Sequence, residues 1–269
     1  MLHFDRVGAK RRSKELLRTA KPSPLIVSLI FLVLTNGISL CVDELTVNPF
    51  QDATQYLMKG YDPMEVFAYT FTGMGPMIAI FLSILVTFYT SIMSYGYAGY
   101  ALRMSRGEEG KVEHLLEGFG LAAKVVLLDI LQAVLIFMWS MLFLIPGIIA
   151  SWRYSQAVFC LLEDPEISPF EAIRRSCQLM RGHKLELFGV QVSFIGWIVL
   201  QMLVGSGMGF AVGSMLGQDH FLATAASYIF SGVVSLVVLP YMQFTFAQYY
   251  NYLTGWRSAE SRDEYEIRF

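Results

Sequence analysis

Five long apolar runs, at residues 24–42, 75–97, 121–144, 185–204 and 221–249, decide most of what this chain can become. A helix rises about 1.5 Å per residue, so some 20 apolar residues cross the ~30 Å hydrocarbon core of a bilayer. A sixth run, 147–162, is shorter and carries Arg153 in its middle. Charged residues make up only 16% of the chain and apolar ones 55%. A soluble domain carries about 25% charged residues. The reading is an all-α membrane protein, a six-helix transmembrane bundle with short amphipathic cytoplasmic helices.

Orientation follows from lysine and arginine, which are retained on the cytoplasmic side. Threading six helices from a cytoplasmic N-terminus puts Arg6, Lys10, Arg11, Arg12, Lys14, Arg18 and Lys21 inside. Arg103, Arg106, Lys111 and Lys124 fall in or beside the next inner loop, and Arg174, Arg175, Arg181 and Lys184 in the one after. The tail adds Arg257, Arg262 and Arg268, while Lys59 alone falls outside and Arg153 lies within the membrane. Omitting the 147–162 crossing would move the third basic cluster to the outer face. The bias therefore predicts six crossings with both ends cytoplasmic. The domains are then a basic arm at 1–23, one polytopic membrane domain at 24–256 and a tail at 257–269. No small-x-small cleavage site follows the first run, which is read as a retained helix and not a leader.

Between the spans the chain has amphipathic pieces. Residues 4–19 have helical spacing and suit either a helix on the inner leaflet or an irregular lead-in. In 107–120, Val112, Leu115, Leu116 and Phe119 form a helical apolar stripe, with His114 and Glu117 on a solvated face. Those two residues lack the further ligands a metal needs. Ser168, Pro169 and Glu171 make a capping-box start for a helix that Gly182 ends. Gly205, Gly209, Gly213 and Gly217 recur every fourth residue, a stripe along which another helix can approach. The same stripe would suit a broken segment lining a path. Cys41, Cys160 and Cys177 have neither metal spacing nor pairing.

Ionisable groups at membrane depth are the candidates for function. Asp129 lies roughly 12 Å below the inner surface and Arg153 roughly 15 Å, counting 1.5 Å per residue. They stand on consecutive antiparallel helices, so an Asp129–Arg153 ion pair is expected. It would pin helix register, or serve as an anion site or proton relay. Ile145, Pro146 and Gly147 suit a sharp outer turn between those helices. No P-loop, GxGxxG, HExxH or GxSxG is present, and His3, His114, His183 and His220 are scattered.

Residues 145–197 also carry a recognisable arrangement: Pro146-Gly147, Arg153-Tyr154, Asp164-Pro165, Ser168, Ser176, Met180 and Gly182, Phe188, and Gly196-Trp197. It closely resembles the signature of a bacterial integral membrane family, domain of unknown function 975. The resemblance implies an α-helical protein of the bacterial cytoplasmic membrane and carries no activity with it. More distantly, the layout is similar to the membrane domain attached to some glycerophosphodiester phosphodiesterases, whose catalytic barrel this sequence lacks. The first expectation is a non-catalytic scaffold, regulator or accessory component of the envelope, without cofactor or metal. Its partners would be the lipid bilayer and a membrane protein or a second copy of the chain, with no nucleic acid. The alternative is a small permease, exporter or lipid-handling protein built on Asp129 and Arg153. A membrane-embedded enzyme ranks last, since no nucleophile–base pair is visible.

Overall fold

A computed structural model of the protein describes residues 4–45, 53, 56–71, 74–217 and 220–256. The tail at 257–269, and with it Arg257, Arg262 and Arg268, lies outside the described residues. Among the described residues the regular elements are all helical. They are α1 (Arg6–Thr19), α2 (Pro24–Leu45), α3 (Pro63–Phe71), α4 (Met74–Ser105), a 3-10 turn (Val112–Leu116), α5 (Glu117–Gly120) and α6 (Ala122–Leu142). Then follow α7 (Leu144–Tyr154), α8 (Ala157–Glu163), α9 (Pro169–Leu179), α10 (Lys184–Leu216) and α11 (Phe221–Thr254).

Five of these, α2, α4, α6, α10 and α11, are long and apolar enough to cross a membrane. Large apolar side chains also stay on the outside. In α6, Phe137, Met138, Met141 and Leu142 are each at least 60% exposed. Such a surface is that of a membrane protein, whose outer solvent is lipid.

The run at 147–162 differs from the single helix expected. It forms α7 and α8, separated at Ser155 and Gln156. The turn before it also moves. Phe143 is the extended residue between α6 and α7, so Pro146 and Gly147 lie within the first turns of α7. Proline is tolerated near a helix start because the first N–H groups have no helical partner there. Gly147 faces Ser140 of α6 so closely that a Cβ would overlap it, which lets α7 fold straight back along α6. The returning chain brings the Pro165 carbonyl to Lys124 Nζ at 2.6 Å, near the start of α6.

The chain divides into two compact units. The first comprises the described residues within 1–31, 91–201 and 234–256, and the second those within 32–90 and 202–233. The core of the first is aromatic: Tyr97, Tyr100, Phe194, Phe244, Tyr249 and Tyr250 are fully buried. Buried phenols need partners. Tyr97 shares a hydrogen bond with Ser28 at 2.6 Å, Tyr249 donates to the His183 carbonyl at 2.8 Å, and Tyr250 donates to Glu163 at 2.6 Å.

The basic arm is an ordered part of this unit. Asp5 caps α1, accepting from the Val7 and Gly8 N–H groups at 3.1 and 3.0 Å. Phe4 then packs edge-on against Tyr249, with ring centroids 5.0 Å apart. Ser13 is buried against Thr245 at 3.1 Å and the Gln248 amide at 3.0 Å. Lys10 lies 4.4 Å above the Phe194 ring and donates to the Ser193 carbonyl at 3.2 Å. Burial, with Lys14 and Arg6 nearby, pushes its ammonium below its ordinary value.

In the second unit, two of the four ladder glycines meet a neighbouring helix. A Cβ on Gly205 would touch Ser231 at 3.0 Å, and one on Gly209 would overlap Ser227. Gly213 is buried in the same face, whereas Gly217 ends α10 with a φ of +107° and open space beside it. Tyr228 donates to Asp43 at 2.5 Å across this unit.

Candidate functional site: a polar cavity in the first unit

The first unit holds a cavity of about 310 Å³, open at one side and lined by polar and apolar side chains together. Liquid water occupies about 30 Å³ per molecule, so this is room for roughly ten waters or a small solute. Each wall comes from a different helix. Ser91, Ser94, Tyr95 and Ala98 project from α4, Val125 and Asp129 from α6, and Leu187 and Gln191 from α10. Gln243 and Phe246 come from α11, and Val158 and Phe159 from α8. The remaining wall is the break between α7 and α8, where Ser155 and Gln156 face the space.

That break is held open by α9. Ser176 Oγ donates to the Arg153 carbonyl at 2.7 Å and accepts from the Gln156 N–H at 3.1 Å. Those are a carbonyl and an amide that a continuous helix would pair within itself. One hydroxyl from a neighbouring helix thus occupies the gap, and the interruption can be stable while buried. α9 is placed for this by its own ends. Ser168 Oγ accepts from the Glu171 N–H at 3.2 Å, Pro169 starts the helix, and Gly182 takes a φ of +85° beyond its end. The Glu171 carboxylate does not complete a reciprocal box. It lies 3.6 Å from both Arg174 and Arg175 instead.

Hydrogen-bond accounting around the cavity is unbalanced. Ser91 donates to the Asp129 carboxylate at Oδ2. The Ser155 hydroxyl donates to the Trp152 carbonyl at 2.9 Å, so towards Gln156 it only accepts, from Nε2 at 3.0 Å. This fixes the Gln156 amide with Oε1 as a remaining acceptor. Gln156 Oε1 and the Tyr95 hydroxyl are buried side-chain atoms without a partner, in residues each 2% exposed. Most buried polar groups in proteins are hydrogen-bonded, and each exception asks for a cause. Gln191 is better supplied, accepting from Trp152 Nε1 at 2.9 Å.

The residues expected to form the site meet only in part. Asp129 is on the cavity wall, but Arg153 is not, and no ion pair joins the two among the described residues. Arg153 contributes its carbonyl to the helix break, while Asp129 accepts one hydrogen bond, at Oδ2, from a serine on α4. Equal depth on adjacent helices was not enough to bring the two side chains together. Ser91, Ser94, Ser155, Gln156, Gln191 and Gln243, which also line the cavity, are not among the residues expected there. Their signal was faint but present: an S-x-x-S-Y cluster at 91–95, and single glutamines inside otherwise apolar helices.

The first unit also carries several ion pairs. Arg106 pairs with Glu163 at 2.8 Å and donates to Asn251 at 2.9 Å, and Arg175 meets Asp164 at 3.0 Å. Arg103 meets Glu117 at 2.8 Å. His114 is engaged locally, its Nδ1 accepting from the Lys111 N–H at 3.0 Å, and burial with Arg103 nearby holds the imidazole below its ordinary value. No cluster of three or more His, Cys, Asp or Glu side chains suited to a metal occurs among the described residues.

Fold and site together describe a helical protein with five helices long and apolar enough to cross a membrane and a cavity in its first unit. Residues 141–257 match the model of a family described as protein of unknown function (DUF975). The resemblance read in 145–197 to that domain of unknown function is thereby shown over this longer stretch. The match takes in the α7–α8 break, α9 and the Gln191 and Gln243 walls, and leaves out the wall carrying Tyr95 and Asp129. No curated protein and no solved structure matches the chain.

Proposed function

We propose that this chain is a six-crossing protein of the bacterial cytoplasmic membrane, with both ends cytoplasmic. Its working part is the polar cavity, where a small polar solute or lipid headgroup is bound for movement across or along the inner leaflet. The protein is thus a permease or lipid-handling component and carries out no bond chemistry itself. One observation carries this reading: Asp129, Gln156, Gln191 and Gln243, from four parts of the fold, line one 310 Å³ space, and Gln156 and Tyr95 there keep buried polar atoms without a protein partner. Leaving each such group unsatisfied costs about 1–3 kcal/mol, so a purely structural core would be expected to have closed on them. The fourth crossing would be the broken pair α7 and α8. Its support is that Glu163 and Pro165, at the far end of that pair, touch Arg106 and Lys124 on the basic side.

The test is solvent access. In a variant with Cys41, Cys160 and Cys177 replaced by serine, single cysteines at Ser94 and Gln243 should react with a small, membrane-impermeant thiosulfonate in inside-out vesicles. A cysteine at the lipid-facing Met138 should not. Protection of both cavity positions, in folded protein, would rule out the reading. The ion pairs of Arg106 with Glu163 and Arg175 with Asp164 favour a second reading, a scaffold whose ordered inner face docks a membrane-protein partner or a second copy. Full protection of the cavity positions is the result that reading expects.

A further inference from the structure

We propose that the cavity is a site for a small organic cation, a primary ammonium group seated against Asp129. This rests on the reading of the cavity as a ligand site and names its ligand's chemistry. The free hydrogen-bonding capacity there is chiefly accepting. Gln156 Oε1 is an acceptor that Ser155 prevents from turning away, and Asp129 holds one donor, Ser91, on Oδ2 only. The Tyr95 hydroxyl adds a group able to accept as well as donate. A ligand seated on Asp129 must bring donors, and an ammonium brings three.

Charge points the same way. None of the residues lining the cavity is lysine, arginine or histidine, so Asp129 faces it without a protein counter-charge. A carboxylate at membrane depth is costly unless it is paired. An anionic ligand would add to that cost, which sets phosphate and carboxylate groups aside. Tyr95, Phe159 and Phe246 are among the lining residues, and aromatic rings tolerate a cation better than an anion. Arg153, the one basic residue expected at this depth, does not line the space. The same ammonium chemistry is carried by soluble amines and by the ethanolamine headgroup of a phospholipid, and the experiment separates them.

The full-length chain is placed in phosphatidylglycerol nanodiscs and titrated calorimetrically with ethanolamine, putrescine and phenethylamine. Their neutral counterparts are ethylene glycol, 1,4-butanediol and 2-phenylethanol. At least one amine should bind at least about tenfold more tightly than its counterpart, the scale of one charge-assisted hydrogen bond. Asp129→Asn, which keeps an oxygen for Ser91, should remove that preference. Gln156→Leu should weaken the amine independently, so the idea stays testable if one variant fails to fold. In nanodiscs containing phosphatidylethanolamine, loss of amine binding identifies the headgroup as a competing occupant, and unchanged binding identifies the soluble amine; either accords with the proposal. Equal binding of amine and neutral compound, or an Asp129→Asn variant that keeps the preference, overturns the ammonium assignment but leaves a ligand site. Binding of neither class overturns both.

Discussion

Ser176 makes two bonds at a place where a helix has stopped making its own. It donates to the Arg153 carbonyl and accepts from the Gln156 N–H, both at the α7–α8 break. Replacing it with alanine would strand a buried amide and a carbonyl. Each stranded group costs about 1–3 kcal/mol, so Ser176→Ala should lose roughly 2 kcal/mol, or more, of stability. Thermal melting in detergent would read this loss. Cysteine at 176, isosteric but a weak hydrogen-bonder, should recover little of it. A melting temperature unchanged in Ser176→Ala would mean the break is held by something else. The serine that stands in the family-like stretch thus has a physical task, and so does Gly182, whose φ of +85° strains any other side chain.

At the scale of elements, the 3-10 turn and α5 are seated on α4 by two glycines. A Cβ on Gly96 would run into the Leu115 carbonyl, and one on Gly118 into that of Ile92. Forcing apart two backbones in contact costs about 1–3 kcal/mol. Gly96→Ala and Gly118→Ala should each lower the melting temperature, whereas Gly196→Ala, with nothing within 4 Å, should not. Equal effects at all three positions would show that helix propensity, not contact, governs them. The five long spans and the Ser168–Pro169 start were legible because length and capping are local properties. The split at Ser155 was not, since the residue that stabilises it lies on another helix. Asp129 was recognisable by its depth, but its partner was not. Rise along an axis gives depth, while the direction of a side chain around that axis depends on packing. The cavity was harder still, because its polar residues come one or a few at a time from separate helices.

For the molecule as a whole, the number of crossings is the consequential quantity. Six crossings and five predict opposite faces for the segment between α8 and α10. Single cysteines at Lys59 and Glu166 should therefore label from opposite sides of sealed, oriented vesicles, with Glu166 reacting from the cytoplasmic side. Labelling of both from one side would mean that α7 and α8 re-enter and do not cross. The outcome bears on function too, because a re-entrant pair would put the Ser155–Gln156 wall at the tip of a loop and not midway along a path.

The docking of α1 has a consequence for how the protein is made. Ser13 meets Thr245, a residue 232 positions later in the chain. Synthesis adds about 5–20 residues per second, so the arm leaves the ribosome on the order of tens of seconds before its partner helix does. During that interval Phe4 and the buried face of α1 have no Tyr249 or Thr245 to rest on. The nascent arm must wait without its packing partners until the last helix arrives. Closure of the first unit is then one of the final events of biogenesis, and an arm sequestered in the meantime would leave every helix inserted but that unit unfinished.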